Sequence, residues 1–397
     1  VLASPDLGLR TRLDSLTGLR ALAALLVVGT HAAFATGKLS HGYIGLVLAR
    51  MEIGVSIFFA LSGFLLFRPW VVAAADAAGA PSAGTYARRR LRRIMPAYVV
   101  TVLLAYGVYS GYSTGPNPGQ SWSGLVRHLT LTQIYTDNYL LTYLHRGLSQ
   151  TWSLAVEAAF YAVLPMLAHL LLVVLCGDRW RPARLLAGLA VLAAIAPVWL
   201  IVLNATDWLP NSAGMWLPAQ LAAFAGGMAV AVVHVMGVRW RAGLLVPAAA
   251  VLYLVVSTPL AGAITMGQVP LWQPPAKALL YAVIATLVVA TPTLGAPGTF
   301  DRLLGSKPMV WLGEISYEIF LLHVLVMALV LGSVLGWPLF TGSLPGLYLL
   351  TLAVTIPLAW LLHRVTWCRS PRYRRRISAP PHCASPSASA SAHPSLP

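Results

Sequence analysis

Apolar stretches long enough to cross a bilayer recur along almost the whole of this 397-residue chain. About twenty consecutive apolar residues span the hydrocarbon core, and inside it each peptide group must find its partner within a helix or a closed barrel. Long Ala/Leu/Val runs without strict alternation meet that demand as helices. With 58% hydrophobic and only 10% charged residues, the chain reads as an all-α polytopic membrane protein, and a soluble fold is excluded. Ten spans are expected, near 16–36, 52–70, 95–112, 151–176, 184–204, 214–236, 242–259, 275–293, 309–332 and 344–364. No short charged leader with an A-x-A site precedes the first, so it is read as a span and not as a cleaved signal.

Cytoplasmic loops are enriched in Lys and Arg. With both termini inside, all but five of the 27 lysines and arginines fall on the cytoplasmic side, the exceptions being Lys38, Arg50, Arg127, Arg146 and Lys277. This bias accounts for most of the +16 net charge, so no nucleic-acid partner is implied; the partner is the lipid bilayer. A transmembrane domain over 1–370 is followed by a tail over 371–397, basic and then Pro/Ser/Ala-rich, which is expected to be disordered. Cys176, Cys368 and Cys383 show no CxxC spacing and read as free thiols, with no metal site. The longest outer connection, 113–150, carries Gly/Pro turns and aromatics and is expected to pack over the bundle.

Several polar residues interrupt the apolar spans. In LRALAALLVVGTH, Arg20 and His31 lie eleven residues apart, three helical turns plus about 20°, so they share a face about 16 Å apart along the axis. Ionisable groups in hydrocarbon usually face a cavity or a partner; the competing reading is a snorkelling anchor and a structural histidine. Ser62 and Gly63 in IFFALSGFLL either let helices approach closely or line a passage. The cluster YARRRLRRIMPAY sets Arg88, Arg89, Arg90, Arg92 and Arg93 at the cytoplasmic mouth of the third span, suited to a polyphosphate and equally to a topology signal. In TWSLAVEAAFY, Ser153, Glu157 and Tyr161 share one face. In LGEISYEIFLLHV, Ser316, Phe320 and His323 share another, beside a polar face of Glu314, Tyr317 and Glu318; the two glutamates are expected to have Arg or Lys partners.

Taken in order from about residue 13 to 330, these motifs resemble the acyltransferase-3 family of integral membrane O-acyltransferases: R-x10-H at Arg20 and His31, R-x-x-R at Arg90 and Arg93, WSLAVEAAFY followed by Pro165, and LGEISYEIFLLH. The resemblance implies a bundle of about ten helices that moves an acyl group, commonly acetyl, from acyl-CoA to a hydroxyl, with essential roles at His31, Arg20, Arg90 and Arg93. Ala158 departs from the pattern, since many relatives carry a second acidic residue there. The wording of THAAFATGKLSHGYIGLVLARMEIGV is similar to the actinobacterial branch. That implies a multi-pass protein of a bacterial plasma membrane and a cell-envelope glycolipid acceptor such as trehalose monomycolate; a polysaccharide, a macrolide-type metabolite, or transport without acyl transfer are the alternatives.

The expected mechanism places CoA phosphates at Arg89, Arg90 and Arg93 and threads the pantetheine arm past Arg20 toward His31. Neutral His31 would be the general base. Glu157 would orient it if the helices bring them together, and Ser62, Ser316 and Tyr317 are candidate donors to the bound acyl group and its oxyanion.

Overall fold

The computed structural model describes residues 5–112, 115–240, 242–262, 270–295 and 298–367. The chain opens with α1 (Pro5–Ala35), a short α2 (Gly42–Arg50), α3 (Ile53–Ala75) and α4 (Ala83–Gly111). The outer connection carries α5 (Trp122–Leu129) and α6 (Tyr139–Thr142). Then follow α7 (Trp152–His169), α8 (Pro182–Ala205), α9 (Leu217–Val235), α10 (Ala242–Val256) and α11 (Gln273–Leu294). Short α12 (Thr299–Leu304) and α13 (Lys307–Glu314) lead into α14 (Ser316–Leu329) and α15 (Leu344–Trp367).

Among the described residues nine helices are long and apolar enough to cross a membrane. The seventh expected span, 242–259, is met by the shorter apolar helix Gly243–Val256. Two boundaries differ from expectation. The third span starts before its arginines: Ser82 caps α4, its hydroxyl accepting from the Thr85 N–H at 3.4 Å, so Arg88 to Arg93 ride on the helix itself. The ninth span is broken at Ile315 into α13 and α14, and the Ser316 hydroxyl donates to the freed Gly313 carbonyl at 2.8 Å. The tail over 371–397, Cys368 and Cys383 lie outside the described residues, while Cys176 is a buried free thiol.

Close crossings hold the bundle together. Gly63 of α3 lies against the Phe224 carbonyl of α9, and Gly227 of α9 against the Ala60 carbonyl of α3; a Cβ at either would collide with backbone. Phe224 is stacked between Phe59 and Phe160, at 4.6 and 3.9 Å between ring centroids. Gly63 is therefore a packing residue. At the α2/α3 corner, buried Arg50 donates to the Val256 and Ala261 carbonyls at 3.0 and 3.1 Å, and Lys277 pairs with Glu52 at 2.5 Å. These partners account for two of the five loop-side cations, Arg50 and Lys277.

The connection over 115–150 packs onto the bundle as expected. Tyr98 donates to the His128 carbonyl and Tyr106 to the Gly119 carbonyl, both at 2.6 Å, and the Trp216 indole donates to the Ile134 carbonyl at 2.9 Å. The bundle thus has a loop end, capped by this segment, and an arginine end, where α4 begins.

Candidate active site

Toward the arginine end, α1, α3, α4, α7 and the α13/α14 break enclose a cavity of about 70 Å³. It is lined by Arg20, Ser62, Arg93, Ser153, Glu157, Tyr161, Glu314, Ser316 and Tyr317, closed by Phe58, Phe59 and Phe320. Residues separated by up to 297 positions meet here, and most were singled out from sequence. The face shared by Ser153, Glu157 and Tyr161 is the face turned into the cavity. Glu157 Oε1 accepts hydrogen bonds from the Ser62 hydroxyl and, at 2.5 Å, from the Tyr161 hydroxyl. The guanidinium groups of Arg20 and Arg90 stand within electrostatic range of that carboxylate, and that of Arg93 lies within range of both arginines. Glu157 and the exposed Glu314 do not neutralise three cations, so the cavity carries a positive potential suited to an anion. Arg90 also has a buried Nε without a hydrogen-bond partner. Arg89, by contrast, is exposed and does not line the cavity.

The expected oxyanion donors are committed elsewhere. Ser62 gives its proton to Glu157, Ser316 to the Gly313 carbonyl, and Tyr317 to the Ile94 carbonyl at 3.1 Å. They shape the wall, and the guanidinium groups of Arg20 and Arg93 are its charged donors. Glu314 sits exposed at the rim. Buried Glu318 meets His363 of α15 at 2.9 Å, not the arginine or lysine expected for it.

His31 lies outside this cavity and borders a second one. Its Nδ1 is 2.8 Å from the Val27 carbonyl and 3.2 Å from Nε2 of His323 on α14. A carbonyl only accepts, so His31 Nδ1 carries the proton. His323 Nδ1 is 2.8 Å from the Phe320 carbonyl and is protonated for the same reason, which leaves its Nε2 bare to accept from His31. Both rings are neutral Nδ1–H tautomers, and Nε2 of His31, the ring's basic nitrogen, makes no hydrogen bond among the described residues. Glu157 does not reach this pair: it is bonded to Ser62 and Tyr161 in the first cavity. The orienting partner of His31 is therefore His323. The sequence groups His323 with Ser316 and Phe320 on one helix face without a role of its own; an ionisable residue deep in an apolar span was the available signal.

Aromatic rings stand between the two cavities. Phe58 and Phe320 meet edge-on, 6.0 Å between centroids, and Phe320 lies 5.9 Å from the His323 ring. The expected continuous path for a pantetheine arm is interrupted by this aromatic partition.

At the loop end a second histidine pair is structural. His145 donates from Nε2 to Gln120 Oε1 at 2.7 Å and accepts at Nδ1 from the Gly147 N–H, and its ring stacks on Tyr106 at 4.5 Å. His128 donates from Nδ1 to the Gly124 carbonyl at 2.8 Å. Burial pushes His128 down to about 4 and His145, beside His128, down to about 3. Among the described residues no group of three or more His, Cys, Asp or Glu side chains could hold a metal ion.

The family model described as "Acyltransferase domain" matches residues 13–364. The chain is 32% identical over 380 residues to "Acyltransferase MdmB" of Streptomyces mycarofaciens, covering 89% of this chain and 90% of that protein. It is 26% identical over 347 residues to "Peptidoglycan O-acetyltransferase OatA" of Listeria monocytogenes, covering 81% of this chain and 50% of that protein. No solved structure gives a significant match.

Proposed function

The chain belongs to the acyltransferase-3 family, and from that premise we propose that it moves an acetyl group from acyl-CoA, bound from the arginine end, to an acceptor hydroxyl held at His31. That it is a membrane O-acyltransferase follows from the family; donor, acyl length, acceptor and residue roles are our reading. The observation that carries it is the bare Nε2 of His31, whose Nδ1–H is tied to Val27 and His323. An alcohol attacks a thioester poorly unless its proton leaves as the bond forms. His31 Nε2 takes that proton, the alcohol oxygen bonds to the thioester carbon, and the C–S bond breaks. The sulfur leaves and recovers the proton from His31 as free CoA thiol. The imidazolium formed in between is stabilised by donating from Nδ1 to bare Nε2 of His323.

The net positive cavity supports the donor reading. Arg90 and Arg93 suit CoA phosphates by bidentate geometry, while Arg89 sits further out on the same helix. A volume of about 70 Å³, against about 10–15 Å³ on the same measure for one water, suits a two-carbon acyl group better than a long chain. Bringing the thioester to His31 requires Phe58 or Phe320 to swing aside. With the arginine end cytoplasmic, as the Lys/Arg bias supports, donor and acceptor enter from opposite sides of a bacterial plasma membrane. A cell-envelope glycolipid, trehalose monomycolate among them, is the acceptor class we propose.

The test is His31→Ala in the purified chain, with free CoA release from acetyl-CoA and acceptor acetylation measured together. A loss of about 10²- to 10⁴-fold, the usual worth of a general base, is expected; transfer near the wild-type rate refutes the assignment. Substrate movement without CoA release would identify a transporter.

A further inference from the structure

The second cavity, about 530 Å³, opens at the loop end between α1, α4, α14 and the segment after α14. Its size is that of a small-molecule site. Its walls are apolar: Phe34, Tyr109, Met327, Leu331, Trp337 and Phe340 dominate them. Polar groups on the wall are few, and two of them, Tyr112 and Arg146, are engaged with backbone carbonyls. Tyr112 donates to the Ala328 carbonyl at 3.1 Å, and Arg146 Nε to the Pro116 carbonyl at 2.8 Å. A pyranose carries several hydroxyls, and each one buried without a partner costs about 1–3 kcal/mol. Beyond His31 such a wall offers few partners, chiefly the Ser149 hydroxyl and the Trp337 indole, so it disfavours a ring that brings four hydroxyls against a chain that brings one.

The mouth points the same way. Phe34 and Phe340 meet edge-on at 5.4 Å and are both about half exposed, with Leu339 beside them. Phe340 holds a left-handed backbone, φ 67°, fixed by its N–H donating to the Ala35 carbonyl at 2.7 Å. An exposed apolar rim on a helix bundle of this kind faces hydrocarbon, so the entrance suits a molecule arriving from the lipid phase.

We infer that this cavity is the acceptor chamber and that its substrate is an amphipathic alcohol whose reacting hydroxyl is carried on the hydrocarbon part of the molecule, not on a sugar ring. The inference rests on the acyltransferase reading for the identity of His31 as base, and it narrows the acceptor: in a glycolipid, the acylated oxygen is on the lipid portion. In the transfer, that hydroxyl loses its proton to His31 Nε2 and forms the ester bond as the C–S bond of the thioester breaks.

The experiment uses the full chain in lipid nanodiscs, photolabelled with decan-1-ol bearing a terminal diazirine and mapped by peptide mass spectrometry. Labelling within 324–332 and 337–340 is expected, displaced at least tenfold better by unlabelled decan-1-ol than by trehalose. Leu331→Trp, which fills the chamber, and Leu339→Arg, which charges its exposed mouth without disturbing the core, should each reduce that labelling about tenfold. Label in these segments that neither variant changes, or that trehalose displaces as well as decan-1-ol, overturns the inference. His31→Ala should keep the label and lose transfer. Labelling as expected with no CoA release from any alcohol would refute the acyltransferase reading and leave the chamber standing. Transfer to trehalose hydroxyls without chamber labelling would do the reverse.

Discussion

Replacing His323 separates a catalytic dyad from two histidines that merely pack together. Its Nε2 accepts from Nδ1 of His31 at 3.2 Å, and when His31 takes the acceptor's proton this contact becomes a hydrogen bond to a cation. Such bonds contribute about 1.5–3 kcal/mol, and they are best at about 2.7–2.9 Å. The longer separation argues for the low end, about 1.5 kcal/mol, or roughly a tenfold loss in kcat. His323→Leu removes the acceptor and should show that loss with donor KM unchanged. His323→Gln retains a side-chain carbonyl that can accept and should recover most of the activity. His323→Leu added to His31→Ala should cost nothing further, because the bond it removes needs the His31 ring as its donor. Acetyl-CoA turnover by thiol release reads all four proteins. Full activity in His323→Leu, equal losses in Leu and Gln variants that fold normally, or additive losses in the double variant would each refute the dyad.

Three further outcomes follow from the geometry. Arg93→Gln should raise the donor KM for acetyl-CoA by about 10-fold or more, one charged hydrogen bond's worth, and leave KM for acetyl-pantetheine, which lacks the phosphates, unchanged; equal effects on both thioesters would remove Arg93 from phosphate binding. Gly227→Ala should lower thermal stability by about 1–3 kcal/mol through overpacking against the Ala60 carbonyl, read as an earlier melting transition in detergent, whereas Gly243→Ala, in open space, should not. The capping segment should loosen in acid: His128 at about 4 and His145 at about 3 lie below the unfolded value of about 6.5, so the unfolded segment binds more protons in between. Its stability is full above pH 6.5 and declines as pH falls through 4 toward 3, so amide protection factors over 117–148, corrected for the intrinsic pH dependence of exchange, should be lower at pH 4.5 than at pH 7.5. Protection factors independent of pH would refute the burial argument.

Apolar length was enough to locate the spans, because hydrocarbon imposes helices wherever it is crossed. It was not enough to locate the break at Ile315. LGEISYEIF reads as continuous helix, and the interruption comes where Gly313 packs against the Thr17 backbone of α1, a contact between residues nearly three hundred positions apart. The same limit governs the site. Periodicity correctly placed Ser153, Glu157 and Tyr161 on one face, but not which neighbour that face meets. Glu157 could orient His31 only if α7 brought it to that level of α1, and it lies instead at the level of Arg20. Glu318 likewise was expected to need a cation, and the partner that reached it was His363, from the one helix that follows α14.

The eleven-residue spacing of Arg20 and His31 acquires a physical meaning from the partition between them. Three turns of α1 carry the arginine into a polar cavity and the histidine onto an apolar one. Along α14 the seven residues from Ser316 to His323 make the same passage, with Phe320 between. A thioester waiting beside Arg20 is in a polar site where water is a competitor for its carbonyl. The base is kept on the other side of two phenyl rings, in a chamber whose walls hold little water. Activation of a nucleophile is thereby confined to the compartment the alcohol enters. On our reading, this separation and not affinity alone lets a hydroxyl present at low concentration prevail over water as the acyl acceptor.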